Sequence, residues 1–391
     1  MGLNQAICWA AIYGTGIIAA VSGGYIADNI SIDTLMSLLA LVPFAVLLVV
    51  LLLPKDKAIT IPLGESISNF WKGLNTGPVL WIIAFSFLFH FQPAMGALWT
   101  NYLIEGLHFT QTEIGFADGA SYVGLFIGVL IFATAGIRWQ EKFGLKRLFK
   151  LFILLSIAVN LTQYLLVDPW FSRITSILEQ VFPFVPPKTL RLLYLSSYNL
   201  TLSIFLGVIR MSTFSLVGAV IPVKAAGSLF AGFMSISNLA YAFSYSSGAW
   251  LYENGLNYKI LRVLQQSLFG IPTVEGMHMS VALLIFIGSM AYLLSFFAAH
   301  MLPDKRQTLA SEDISDYLSG PEKYQILGAA FLRKVDRISI LLAVIVFQLS
   351  YFQWDMDLIP STLFAFFGIT FARKIVLDWS YKRARPAPDQ E

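Results

Sequence analysis

The chain is built from apolar blocks of about 20 residues separated by short polar interruptions. Its densest block, Leu38–Leu53, is broken only by Pro43. A hydrocarbon layer about 30 Å thick is crossed by about 20 residues of helix, so blocks of this length and recurrence specify membrane helices. The blocks are continuously apolar, without the period-two alternation of barrel strands, which excludes a membrane β-barrel. Charged residues make up 13% of the 391 residues and hydrophobic residues 57%, against about 25% charged in soluble domains. An ordinary water-soluble fold is excluded.

Blocks near 5–26, 32–53, 77–104, 112–137, 149–168, 191–221, 227–252 and 278–302 are the predicted spans, followed by a shorter pair at 338–353 and 359–378. The first block has no basic leader and runs through Gly23 and Gly24 to a polar turn at Asp28–Asn29, so it is a membrane helix and not a signal peptide. With residue 1 inside, 20 of the 26 Lys and Arg residues fall on the inner side, which predicts a multi-pass protein with both termini inside. The organisation that follows is two helices in 1–53, a linker in 54–76, six helices in 77–302, a charged exposed linker in 303–337, a peripheral hairpin in 338–379 and a basic, Pro-containing tail in 380–391. The linker holds an amphipathic segment, Pro62–Leu74, with Ile67, Phe70 and Trp71 at helical spacing. Two outer segments, about 170–190 and 253–276, are long enough for short interfacial helices.

Catalytic chemistry finds no foothold. There is no zinc-type histidine pair, nucleophile elbow or phosphate-cradling glycine loop, and the single cysteine, Cys8, lies in an apolar run. The four histidines are far apart. The expectation is a non-enzyme with no cofactor and no metal, whose partners are the bilayer and a small solute, with no nucleic acid.

The informative residues are polar groups inside spans, because each is costly in lipid unless it faces protein or water. Arg210 lies mid-helix, and Ser203 and Asn199 fall seven and eleven positions before it, within about 20° of its face at 100° per residue. Two readings compete: Arg210 pairs structurally with a carbonyl or snorkels, or it faces a central cavity and meets an anionic solute. His90 and Gln92 precede Pro93, a combination suited to a bend beside a cavity or to a satisfied core histidine. Asp118 and Tyr122 share a face near a helix end, and Asn160 and Gln163 are spaced to hydrogen-bond between helices.

The run Leu229-Phe230-Ala231-Gly232-Phe233-Met234-Ser235-Ile236-Ser237-Asn238 resembles the Leu-Phe-Ala-x-x-Met-Ser-Ile-Ser-Asn block in the eleventh helix of the folate–biopterin transporters, a branch of the major facilitator superfamily. Gly248 and the turn Glu253-Asn254-Gly255-Leu256 continue the likeness. Gln5-Ala6-Ile7-Cys8-Trp9 with Pro43 is similar to that family's helices five and six, and Pro93–Asn101 with Leu107-His108-Phe109 and Gly115 is similar to helix seven and its loop.

The resemblance implies an all-α, major-facilitator-type bundle that starts at helix five, lacks the first four helices and adds a C-terminal hairpin. The sequence then reads as a fragment of a longer protein or as a gene that has lost its front, the fragment being the expectation. The implied function is secondary-active transport of a small organic, anionic solute, folate- or pteridine-like, by alternating access, with a proton as the coupling ion. The implied substrate site gathers Arg210, Asn199, Ser203, Tyr198, His90, Gln92 and Asn238 around a central cavity. Gly96, Tyr198, Ala219 and Ala226 stand where the family carries charged residues, which keeps open a second reading, a non-transporting membrane scaffold.

Overall fold

A computed structural model describes residues 2–52, 64, 77–93, 96–167, 170–220, 226–273, 277–302 and 329–348, with single positions between 365 and 380. The described residues form helices and connecting turns, with no strand among them. Among the described residues, six helices are long and apolar enough to cross a membrane: Ala6–Asn29, Ile32–Leu52, Gln111–Gly136, Leu145–Leu166, Pro187–Gly218 and Val281–Met301. The chain is an all-α, multi-pass membrane protein.

In order, α1 is Gly2–Asn29, α2 Ile32–Leu52, α3 Gly77–His90 and α4 Ala97–Asn101, which passes into a π-helical turn at Tyr102–Gly106. Then follow α5 Gln111–Ile131, joined through a second π turn to α6 Ile137–Phe143, and α7 Leu145–Leu161, which tightens into a 3-10 turn at Thr162–Leu166. The last are α8 Trp170–Val181, α9 Pro187–Val220, α10 Ala226–Asn254, α11 Lys259–Phe269, α12 Val281–Ala298 and α13 Ala329–Gln348. The short helices α8 and α11 lie in the two segments where the sequence leaves room for them.

Two expectations change. The predicted span 77–104 is not one helix, because α3 stops at His90 and α4 starts at Ala97. Pro93 removes a donor and disfavours helical geometry in the residue before it, and Gly96 then takes φ 106°, a conformation open to glycine. Helix α13 already covers Ala329–Gln348, so the end of the expected 303–337 linker is helical. Arg373 donates to Asp336 at 2.6 Å, joining α13 to the segment after it. The amphipathic segment at 62–74, the linker at 303–322 and the hairpin turn at Trp354, Asp355 and Asp357 lie outside the described residues.

The chain divides into two compact units, so that residues 77–302, expected as one body, contribute to both. The first contains Met1–Leu63, Gly96–Ser215 and Val281–Phe296. Its helices meet through glycine. A Cβ on Gly24 would strike the Gln111 carbonyl and come 2.9 Å from the Gly115 Cα, so α1 and α5 touch backbone to backbone. Gly128 does the same on α9, where its Cβ would collide with the Ile204 carbonyl and lie 2.9 Å from Gly207 Cα. Lipid tails are as apolar as leucine, so close backbone approach and not apolarity drives such pairs.

One end of this unit is tied by polar groups. Thr110 and Glu113 form a reciprocal capping box on α5. Asp28 of α1 accepts from the Thr112 amide at 2.7 Å and the Gln111 amide at 3.2 Å, placing a carboxylate at the positive end of α5. Glu113 also pairs with Lys188 of α9 at 2.8 Å.

The second unit contains Gly64–Met95, Leu216–Ser280 and Phe297–Glu391. Here α3 packs on α10 through hydroxyls. Ser86 and Ser237 are 3.1 Å apart, both buried, and Gly248 lies so close to Pro93 that a Cβ there would overlap the Pro93 carbonyl.

Candidate functional site

Three polar arrangements lie inside the helices. The first surrounds Arg210. This half-buried residue of α9 donates to the Tyr13 hydroxyl at 3.4 Å, and Tyr13 is 2% exposed. Four residues further on, Phe214 stacks on Trp9 with ring centroids 4.7 Å apart, and Trp9 lies 5.4 Å from Tyr13. Two i, i+4 pairs, Trp9 with Tyr13 and Arg210 with Phe214, therefore face each other across α1 and α9. Sequence reasoning missed Trp9 and Tyr13. Their spacing on one face of α1 was the available signal.

Asn199 and Ser203 share the helix stripe of Arg210 but are engaged elsewhere. The Asn199 amide donates to the Ala117 carbonyl of α5 at 2.9 Å, and the buried Ser203 lies where a side chain on Gly124 would need to be. Both belong to the α5–α9 contact. This part of the stripe packs against a helix.

The second arrangement explains Tyr198. Its hydroxyl donates to Asn160 Oδ1 at 2.7 Å and lies 3.3 Å from Gln163 Oε1, while Asn160 Nδ2 donates to Ser289 Oγ at 2.8 Å. Ser289 donates in turn to the Ile285 carbonyl at 2.7 Å. A phenol has one proton, so the shorter bond to Asn160 takes it. The result is a directed chain, Tyr198 to Asn160 to Ser289 to backbone, that joins α9, α7 and α12. All members are buried. Tyr198, which the resemblance places at the substrate, joins three helices through this chain. Asn160 and Gln163 occupy the inter-helix positions their spacing predicts.

The third arrangement belongs to the second unit and lies at the interruption of the third span. At 1.5 Å per residue the 14 described residues of α3 cover about 21 Å, and the helix ends at His90. The backbone freed there finds serine. Gln92 N–H donates to Ser244 Oγ at 2.6 Å, and the Ser244 hydroxyl donates to the Ala240 carbonyl at 2.7 Å with the His90 carbonyl at 3.3 Å. Non-helical backbone at membrane depth is tolerated where protein supplies such partners. His90 Nδ1 donates to the Ser86 carbonyl at 2.8 Å. Sequence reasoning also missed Ser86, Ser237 and Ser244, although Ser86 lies one turn before His90 and the other two are seven apart. Asn238, beside Ser237, is exposed.

The seven expected site residues therefore divide: Arg210, Asn199, Ser203 and Tyr198 lie in the first unit and His90, Gln92 and Asn238 in the second. Asp118 is exposed on α5, and Tyr122 packs its ring over Gly16 of α1. Among the described residues no group of three His, Cys, Asp or Glu side chains could hold a metal ion. Compared with known proteins, the chain matches no family model, no curated protein and no solved structure.

Proposed function

We propose that this chain is a secondary-active transporter of the major-facilitator type, moving a small organic anion of folate or pteridine character by alternating access. The observation that carries the reading is the interrupted span at His90–Gly96. Secondary transporters bind their solutes at broken helices, where backbone groups and helix ends are available inside the membrane. An intact scaffold helix has no use for such a break. Arg210 supports the anion. A central arginine costs about 2.5–3.5 kcal/mol on insertion scales, and its planar fork matches a carboxylate in two bonds. The resemblance around Met234–Asn238 supplies the solute class. Lys and Arg placement supports both termini inside.

The test is uptake into vesicles carrying the full chain, using labelled folic acid, a neutral pteridine, an amino acid and a nucleoside. Folic acid is expected to enter. Arg210→Gln should lose nearly all uptake and Arg210→Lys should keep part of it, with both variants inserted. Uptake by Arg210→Gln at the wild-type level would reject the anion site. A wild type that moves none of the four would favour the scaffold.

A further inference from the structure

We propose that α11 is a docking surface for anionic phospholipids of the surrounding bilayer, with Lys259 and Arg262 on the headgroup phosphates and Ile260 and Val263 in the hydrocarbon beside them. The proposal rests on the membrane-crossing helices and not on the transporter reading.

The protein side of α11 sets its depth. Gln265 is fully buried, and its Oε1 accepts from the Ser280 amide at 2.8 Å. The preceding amide, of Met279, donates to the Tyr252 carbonyl of α10 at 2.8 Å, and a Cβ on Gly255 would come 2.9 Å from the Met279 sulfur. Ser280 is the residue before Val281, where a membrane span starts. α11 is therefore held at the end of a span, which is where a bilayer presents its headgroups. Aromatic rings, the residues typical of that level, collect here: Trp250 and Tyr258 lie 5.7 Å apart, and Tyr252 stacks on His278 at 4.8 Å.

The other side of the helix faces away from the protein. At about 100° per residue the direction opposite Gln265 falls between Val263 and Ser267. Ile260 is 70% exposed and Val263 53%, and Lys259, Arg262, Gln266 and Ser267 are exposed with them. This arc is divided along its length. Arg262, Gln266 and Lys259 form one strip, and Val263, Ser267 and Ile260 the strip next to it. Water disfavours the second strip and hydrocarbon the first. At the boundary both are satisfied, with the cations toward phosphate and the aliphatic groups toward the acyl chains.

Charge then selects the lipid. α11 contains no acidic residue, and the acid at the end of α10, Glu253, offsets one of the two cations at most. The Arg262 fork matches two phosphate oxygens, and Lys259, one turn before it, adds a point charge. Phosphatidylcholine carries a phosphate too, but its choline is a cation that both side chains repel. Phosphatidylglycerol brings the phosphate without that penalty. Free phosphate leaves Ile260 and Val263 uncovered, so the occupant is the bilayer itself.

The test uses the full chain with Cys8→Ser, which removes the single cysteine, and Val263→Cys, which carries a bimane fluorophore. It is reconstituted in liposomes containing brominated phosphatidylglycerol or brominated phosphatidylcholine at equal mole fraction. Both lipids should quench, the anionic one at least about twofold more strongly. In the Lys259→Gln, Arg262→Gln double variant the two should quench equally. The same loss of preference is expected without the double variant in about 0.5 M salt, where surface charges are screened. Quenching by neither lipid would show that protein or water covers this face and overturns the docking. Equal quenching before any charge is removed overturns the headgroup selection, and so does a preference that survives both the double variant and the salt.

Discussion

Helices α2 and α9 are both long enough to cross a membrane, yet they have opposite relations to the protein. α2 reads Leu-Ala-Leu-Val-Pro-Phe-Ala-Val-Leu-Leu-Val-Val through its centre, and none of its residues is buried. α9 carries two arginines, a lysine, an asparagine and several serines and threonines, and 61% of its most apolar stretch is buried. In water this ranking would be inverted. In lipid, leucine gains nothing by leaving the hydrocarbon for the protein, whereas glycine lets backbones touch and polar side chains need partners. Among the described residues, glycines in backbone contact and bonded polar groups lie inside beside an apolar core, whereas the longest unbroken apolar run lies exposed.

The largest test of that contrast is at Gly128. Leucine there must displace the Ile204 carbonyl and the Gly207 backbone, which cannot rotate away as a side chain could. Overpacking against backbone should cost about 3 kcal/mol or more, seen as loss of the monodisperse peak in size-exclusion chromatography and an early midpoint in SDS unfolding. A methyl group on Gly14 or Gly23 would meet nothing within 4 Å, so alanine at either should leave both measurements unchanged. Equal effects at Gly128 and Gly14 would break the contrast.

A smaller loss is expected for Asn160→Leu. It strips the acceptor from Tyr198 and the donor from Ser289 but fills similar volume, and should lower stability by about 1–2 kcal/mol. Combining it with Tyr198→Phe should cost less than the sum of the two, because Tyr198→Phe removes the same bond. Strict additivity would show that the chain through α7, α9 and α12 is not one unit.

The sequence makes the α2 side of this contrast plain and half conceals the α9 side. Continuous apolarity over a bilayer's length is local, so α2 and α12 are legible with nearly their observed limits. The break at Pro93 is legible as a bend, because proline is often tolerated as a kink in a lipid-facing helix. Two separated pieces require Gly96 at positive φ and the hydroxyl of Ser244, which is 152 residues from Gln92. The stripe through Arg210, Ser203 and Asn199 is real as geometry, but a single helix cannot say which neighbour it faces. Tyr13, 197 residues from Arg210, and Ala117, 82 residues from Asn199, decide that. Tyr198 reads as a solute contact for the same reason, since its partner Asn160 lies on another helix.

A rim contact sits between the two extremes. Lys188 and Glu113 meet at 2.8 Å with side chains 43% and 24% exposed. Such pairs contribute about 0–1 kcal/mol and weaken with salt. Lys188→Ala should therefore shift the SDS midpoint slightly at low salt and not at about 0.5 M, where screening is strong, while the capping box on α5, which does not involve Lys188, remains.

The smallest effect belongs to α2. Leu48 is 64% exposed, so alanine there removes methyl groups that touch no packed neighbour in the described structure. If hydrocarbon surrounds this face, those groups meet lipid in the folded protein and also in the inserted, unfolded helix, and the difference between the states nearly cancels. The expected change is within about 0.5 kcal/mol, against the roughly 2–5 kcal/mol typical of the same substitution in a packed core. SDS unfolding of Leu48→Ala beside Leu202→Ala, whose leucine is 5% exposed on α9, measures both in one experiment. A loss at Leu48 equal to that at Leu202 would mean that α2 packs against protein after all, and the rule that the most apolar helix marks the exterior would fail for this chain.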